Sequence, residues 1–149
     1  MIRRARPEDV EAVVRIFHES RAEAMPWLPM LHTHEEHVAW FSVLLAGEAW
    51  VFEEDGAPLG YAAMRDGELH DLYVVPEAQR RGVGSALFAH VQQAHPGGFR
   101  FWVFRDNARA RAFYDARGCV VVASSEDDNE ERLPDVQYEW GPSPGRAGA

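Results

Sequence analysis

Between Glu68 and Val91 the chain reads ELHDLYVVPEAQRRGVGSALFAHV. A buried-looking strand ends at Pro76, a loop carries Arg80 and Arg81 beside two glycines, and a helix begins at once. A helix that starts this abruptly exposes its first N–H groups, which have no partner within the helix. Gly82 and Gly84 remove the side chains that would hold a ligand away from those donors. The junction therefore has the shape of a pyrophosphate cradle with two guanidiniums nearby. Two familiar phosphate motifs fit it poorly. GVGSAL has the first two glycines of GxGxxG but Leu87 at the third, and no GK[ST] follows, as a P-loop requires.

The rest of the chain supplies a framework around this junction. Val10, Val13, Val14 and Phe17 recur at helical spacing behind Pro7, predicting a strand over 2–5 and a helix over 7–24. Pro26 and Pro29 stop that helix. Thr33 with Glu36 three residues on is a capping-box signature for a second helix that ends near Gly47. Runs at 49–53, 58–65 and 68–75 are separated by Asp55-Gly56 and Asp66-Gly67, hairpin dipeptides that predict an antiparallel meander. A helix over 83–95, a strand FRFWVF at 99–104, a helix capped by Asp106 or Asn107 through Arg117, a strand CVVVA and a last strand at 135–140 follow. Gly118 is the expected left-handed stop. The order βααβββαβαβ predicts the α/β (α+β) class: one domain over 1–140, with a mixed sheet of six to seven strands and helices on both faces. Residues 141–149 are Pro/Gly/Ala-rich and read as a disordered tail.

Composition removes several classes of function. Fifteen basic residues against 24 acidic give a net charge of −9, which disfavours nucleic acid as a partner because that affinity rests on Lys and Arg. The one cysteine, Cys119, closes no intrachain disulfide. No window approaches the ~20 apolar residues of a membrane span, and the N-terminus lacks the apolar run of a signal peptide. A cytoplasmic chain with no membrane partner is the expectation.

With these elements in place, the chain resembles the GCN5-related N-acetyltransferase (GNAT) superfamily. QRRGVG at 79–84, behind a strand ending LYVxP, matches the [QR]xxGx[GA] signature of that family. NARARAFYDARGCVVV at 107–122 resembles its NxxAxxFYxxxGF segment, with Cys119 where an aromatic or aliphatic residue is usual. The resemblance implies a GNAT fold and acetyl-CoA as co-substrate, with no metal. By it, the pyrophosphate would be bound by the cradle of Gln79, Arg80, Arg81, Gly82, Val83, Gly84 and Ser85, with backbone N–H groups from Arg80 to Ser85 as donors. The pantetheine arm would pair with Leu72, Tyr73 and Val74 and with Asn107. The acetyl carbonyl would accept a backbone hydrogen bond near Val74. Tyr114 would protonate the departing thiolate.

The acceptor, a small-molecule or peptide amine, must lose a proton before it attacks. Glu68, eleven residues before Gln79, stands where the histone-acetyltransferase branch of the family carries a basic glutamate, and in a regular strand it would share a face with His70. Trp27, His32 and Tyr138 are the expected acceptor-pocket residues. HTHEEH at 32–37 has metal-ligand spacing, but its Thr33 and Glu36 are already explained by the capping box. Cys119 opens a valine-rich strand and reads as a buried thiol rather than a nucleophile. The reading is an N-acetyltransferase acting through a ternary complex; the alternative is an acyl-CoA-binding sensor of the same fold without turnover. The oligomeric state stays open, dimers being frequent in the family.

Overall fold

Asp55-Gly56 and Asp66-Gly67 do what their types dictate: all four residues have positive φ (52°, 79°, 53° and 78°), the geometry of tight hairpins whose twist matches that of the strands. In the computed structural model, which describes residues 1–142, they join β2 (Glu48–Glu54) to β3 (Ala57–Arg65) and β3 to β4 (Glu68–Val74). The part of the expected tail from residue 143 onward lies outside the described residues. The chain falls into two compact units, Met1–Gln93 and a second beginning at Ala94.

In the first unit β1 (Ile2–Arg4), β2, β3 and β4 form an antiparallel sheet in chain order. Between β1 and β2 lie α1 (Val10–Ala24) and α2 (His34–Ala46), and after β4 comes α3 (Val83–Ala94). Neighbouring strand residues point to opposite faces, so β3 shows what covers each side. The Tyr61 ring lies 6.0 Å from Phe41 of α2. At the adjacent Gly60 a Cβ would sit 3.1 Å from both Val83 and Leu87 of α3. Helices thus cover both faces, as expected, and Gly60 is the bare spot that lets the first turn of α3 seat against the sheet. Tyr61, Ala62 and Ala63 are fully buried in consequence.

The helix starts follow the sequence with one refinement. Thr33 Oγ1 accepts from Glu36 N–H at 3.1 Å while Glu36 Oε1 accepts from Thr33 N–H at 2.9 Å, the reciprocal cap expected. The predicted helix at 7–24 instead begins as a 3-10 turn over Pro7–Asp9. There the Asp9 carboxylate accepts from Arg6 N–H at 2.7 Å and from both Nη atoms of Arg3 at 2.8 Å, tying that turn to β1.

The second unit contains β5 (Phe99–Phe104), α4 (Ala108–Asp115), β6 (Val120–Ser125) and β7 (Asp135–Trp140), with β7 pairing antiparallel to both β5 and β6. α4 ends two residues before the expected Arg117, because the N–H groups of Arg117 and Cys119 both turn back to the Tyr114 carbonyl. β6 accordingly starts at Val120 rather than Cys119.

Candidate functional site

The regular alternation expected along β4 is interrupted. Arg65 pairs with Glu68 and Met64 with Leu69, but Ala63 pairs with Asp71, so His70 is an extra residue in a β-bulge. Leu69 therefore lies on the α3 face while Glu68 and Asp71 lie on the face of Tyr61, the α2 side.

The bulge brings His70 against its own neighbour. His70 Nδ1 lies 3.0 Å from Asp71 Oδ1, and Tyr61 donates its hydroxyl to Asp71 Oδ2 at 2.7 Å. Asp71 is buried, whereas 40% of the His70 side chain is exposed. The Trp40 ring of α2 stands 5.5 Å from the His70 ring and carries the Arg65 guanidinium 4.8 Å from its centroid. The Asp71 hydrogen bond and charge raise the His70 pKa above 6.5, against the lowering effect of partial burial. Burial, with the Asp71 charge, pushes the Tyr61 phenol well above 10.

Past Val74 the chain makes a 3-10 turn over Pro76–Ala78. Gln79 then closes the loop on itself, its side-chain amide donating to the Val74 carbonyl at 3.1 Å. Arg80 and Gly82 both take left-handed backbone, at φ 69° and 83°. A Cβ built on Gly82 would meet nothing within 4 Å, so the glycine is required by its φ and borders open space. The first helical bond of α3 runs from Ala86 N–H to the Gly82 carbonyl at 3.0 Å, so the N–H groups of Val83 and Gly84 come ahead of the helix's own bonding. Of the two expected guanidiniums, that of Arg81 is engaged elsewhere: one Nη bonds both oxygens of Glu54, at 2.7 and 2.9 Å.

Of the HTHEEH histidines, His32 and His37 stay together, their ring centroids 5.8 Å apart. His34 pairs with Glu11 at 3.3 Å and His32 with Glu36 at 3.6 Å. His37 instead turns inward, its ring 4.6 Å from His18 and 5.5 Å from Phe17. Burial lowers the pKa of both His18 and His37. Among the described residues no group of three or more His, Cys, Asp or Glu side chains is arranged to hold a metal ion. Trp27, between α1 and α2, is 44% exposed, and Tyr73 packs its ring 5.6 Å from Phe17.

In the second unit Asn107 caps α4, its Oδ1 accepting from Ala110 N–H at 3.2 Å. Tyr114 is buried, its ring 4.4 Å from Phe101 and 5.9 Å from Tyr138. Tyr138, expected at the acceptor pocket, is fully enclosed: its hydroxyl donates to Asp115 at 2.9 Å and accepts from Arg111 at 3.2 Å. Burial pushes the Cys119 thiol up to about 12, so the neutral thiol predominates near pH 7.

Asp71, Tyr61 and Trp40 are the residues that the sequence reading passed over. A signal existed for Asp71, an acid between Leu69 and Leu72 in a strand otherwise reading as buried.

Known proteins resemble the chain in sequence and in fold. Residues 12–119 match the acetyltransferase (GNAT) family. Peptidyl-lysine N-acetyltransferase YiaC of Escherichia coli (strain K12) is 33% identical over 142 residues, covering 94% of this chain and 96% of the relative. The solution structure of apo YjaB from Escherichia coli superposes with a TM-score of 0.75 at 25% identity, over 94% of this chain and 96% of the other. An N-acetyltransferase from Thermoplasma acidophilum, solved in complex with coenzyme A, has the same fold: TM-score 0.70 at 19% identity, over 93% of this chain and 96% of that one. The chain belongs to the GNAT family of acetyltransferases and has the GNAT fold.

Proposed function

We propose that this protein transfers the acetyl group of acetyl-CoA to a primary amine, by direct attack of the amine within a ternary complex, with peptidyl lysine as the foremost acceptor. The observation that carries the reading is the loop from Val74 to Ala86. Gln79 pins it, two left-handed residues turn it, and it delivers the leading N–H groups of α3 beside open space. Such a cradle suits a pyrophosphate, which accepts hydrogen bonds and favours the positive end of a helix.

In this reading N–H groups between Arg80 and Ser85 hold the pyrophosphate, except that of Arg81, which donates to the Ala78 carbonyl at 3.4 Å, and the backbone of Leu72, Tyr73 and Val74, with Asn107, holds the pantetheine arm. Glu68, directly or through His70, takes the proton of the amine. The freed lone pair forms the N–C bond, the C–S bond breaks, Tyr114 protonates the thiolate, and the second proton shed by the acylated nitrogen restores the Tyr114 phenol through solvent. Trp27 and His32 border the acceptor. The family match runs through both units, which supports treating 1–140 as one functional domain. The name of the relative YiaC supports lysine in a peptide as the acceptor.

Thiol release from acetyl-CoA, followed across a panel of amines led by a lysine-containing peptide, tests the proposal. Stoichiometric thiol and acetylated amine are expected, and Gly82→Glu, which sets bulk and negative charge in the cradle, is expected to abolish acetyl-CoA binding in calorimetry. Tight acetyl-CoA binding with no transfer to any amine would leave the non-catalytic alternative in possession.

A further inference from the structure

We infer that Asp71 is a positioning residue for the acetyl transfer: held by the buried Tyr61 hydroxyl, it fixes His70 in the tautomer that presents Nε2 as the proton acceptor for the attacking amine. The inference rests on the acetyltransferase reading and adds to it a residue that the motifs of the family leave unassigned.

The argument begins with what a carboxylate can do. Ionised Asp71 only accepts hydrogen bonds, so a neutral His70 bonded to it at 3.0 Å must carry its proton on Nδ1. The lone pair is then on Nε2, on the far side of a ring whose side chain is 40% exposed. Asp71 is itself fixed from behind: Tyr61, fully buried, donates to its other oxygen at 2.7 Å. Trp40 bounds the ring on the α2 side. The bulge matters because an ordinary strand would send residues 70 and 71 to opposite faces. Here the extra residue lets two sequence neighbours bond side chain to side chain.

The proton balance closes on these groups. The ammonium proton passes to Nε2, and the resulting imidazolium keeps its Nδ1–H on Asp71, whose negative charge offsets the new positive one. The nitrogen lone pair then forms the N–C bond as the C–S bond breaks, and the second proton shed by the acylated nitrogen replaces, through solvent, the one that Tyr114 gives to the thiolate. His70 returns its proton to solvent from its exposed edge. The charged groups that face His70 are Asp71 and Glu68 on its own strand and Arg65 on β3; α2 meets it with the uncharged Trp40. Asp71 and Glu68 favour the protonated ring and Arg65 opposes it, so removing the Asp71 charge is expected to weaken the base.

Two measurements decide the matter. The first is an NMR titration of the imidazole nitrogens of His70 in the wild-type protein, which needs no turnover. Protonated Nδ1 and bare Nε2 are expected above the titration midpoint; the opposite tautomer, or an even mixture, overturns the inference. The second is the pH profile of transfer from acetyl-CoA to a lysine-containing peptide in Asp71→Asn, which keeps the shape and loses the charge. The expected result is a kcat reduced ten- to a hundredfold near neutral pH, an acetyl-CoA KM within twofold of wild type, and an acidic limb moved to lower pH. Wild-type kcat and an unmoved limb would overturn it. Should Asp71→Asn fail to fold, Tyr61→Phe removes one support of the carboxylate, and a His70 titration unchanged in that variant counts against the inference. A wild-type protein that acetylates no amine overturns the enzymatic reading as a whole, and the tautomer measurement tells that failure from a failure of Asp71.

Discussion

Single atoms decide the roles of the groups proposed to move protons. Tyr114 packs against Phe101 at 4.4 Å, a contact that phenylalanine would keep. Tyr114→Phe is therefore expected to preserve folding and acetyl-CoA affinity while lowering kcat ten- to a thousandfold, measured under conditions where chemistry limits the rate. An unchanged kcat would reduce Tyr114 to a packing residue. Glu68 separates two chemical parts in another way. If it relieves the amine of its proton, Glu68→Gln lowers kcat at neutral pH and rising pH restores part of the loss as the amine deprotonates itself. If it only attracts a cation, KM rises instead and depends on salt. Combined with His70→Gln, a working relay makes the two losses strongly non-additive. Glu68 was nameable as a candidate because a spacing of eleven residues to Gln79 could be counted and matched to the family. Asp71 was not, because its partnership depends on a bulge, and nothing in LHDLYV shows that the ladder skips a residue.

At the scale of elements, the packing of α1 against α2 carries a pH signature. Burial holds His18 and His37 below their ordinary 6.5, so the unfolded chain binds protons there that the folded chain resists. Their contribution is present in full above about pH 6.5 and is lost as pH falls through the lowered values. His70, whose pKa is raised, has the opposite sign: its contribution is full below 6.5 and is lost as pH rises through the raised value. Thermal melts from about pH 7 to about pH 5 are expected to show a shallower loss of Tm in His37→Phe than in wild type. A loss of equal slope would mean that His37 titrates alike folded and unfolded. Elements themselves were readable wherever a local rule is strong. The Thr33/Glu36 cap and both Asp-Gly hairpins emerge as expected because each rests on contacts between near neighbours, and the strand at 99–104 because its run of aromatic and β-branched residues is a strong strand former. The end of α4 depended on where two N–H groups turn back to one carbonyl, and residue types alone do not specify that.

Over the whole molecule, a net charge of −9 favours cationic acceptors, and the loop containing Glu126, Asp127 and Asp128 keeps these acids exposed. Asn129 shapes that loop, its Oδ1 accepting from Leu133 N–H at 2.9 Å. Raising ionic strength is expected to increase KM for a lysine-rich peptide severalfold while barely changing it for an uncharged amine, since exposed charges are screened beyond ~8 Å at physiological salt. Equal salt dependence for both would remove the acidic surface from acceptor selection. No helix among the described residues is long and apolar enough to cross a membrane.

The bulge in β4 also makes the strand tolerant of shortening at one place only. His70 has no partner of its own in the ladder, so excising it sets Leu69 and Asp71 opposite Met64 and Ala63 as consecutive pairs, with every other pairing kept. Excising Leu72 instead offsets one side of the strand by a residue and reverses which side chains meet α3 and which meet α2. The His70 deletion is expected to melt within a few degrees of wild type and the Leu72 deletion to fail in expression or melt far lower, as circular dichroism would record. A chain that can lose the imidazole and keep its register holds its proposed base on a removable residue, so relatives one residue shorter here would keep the scaffold without that imidazole.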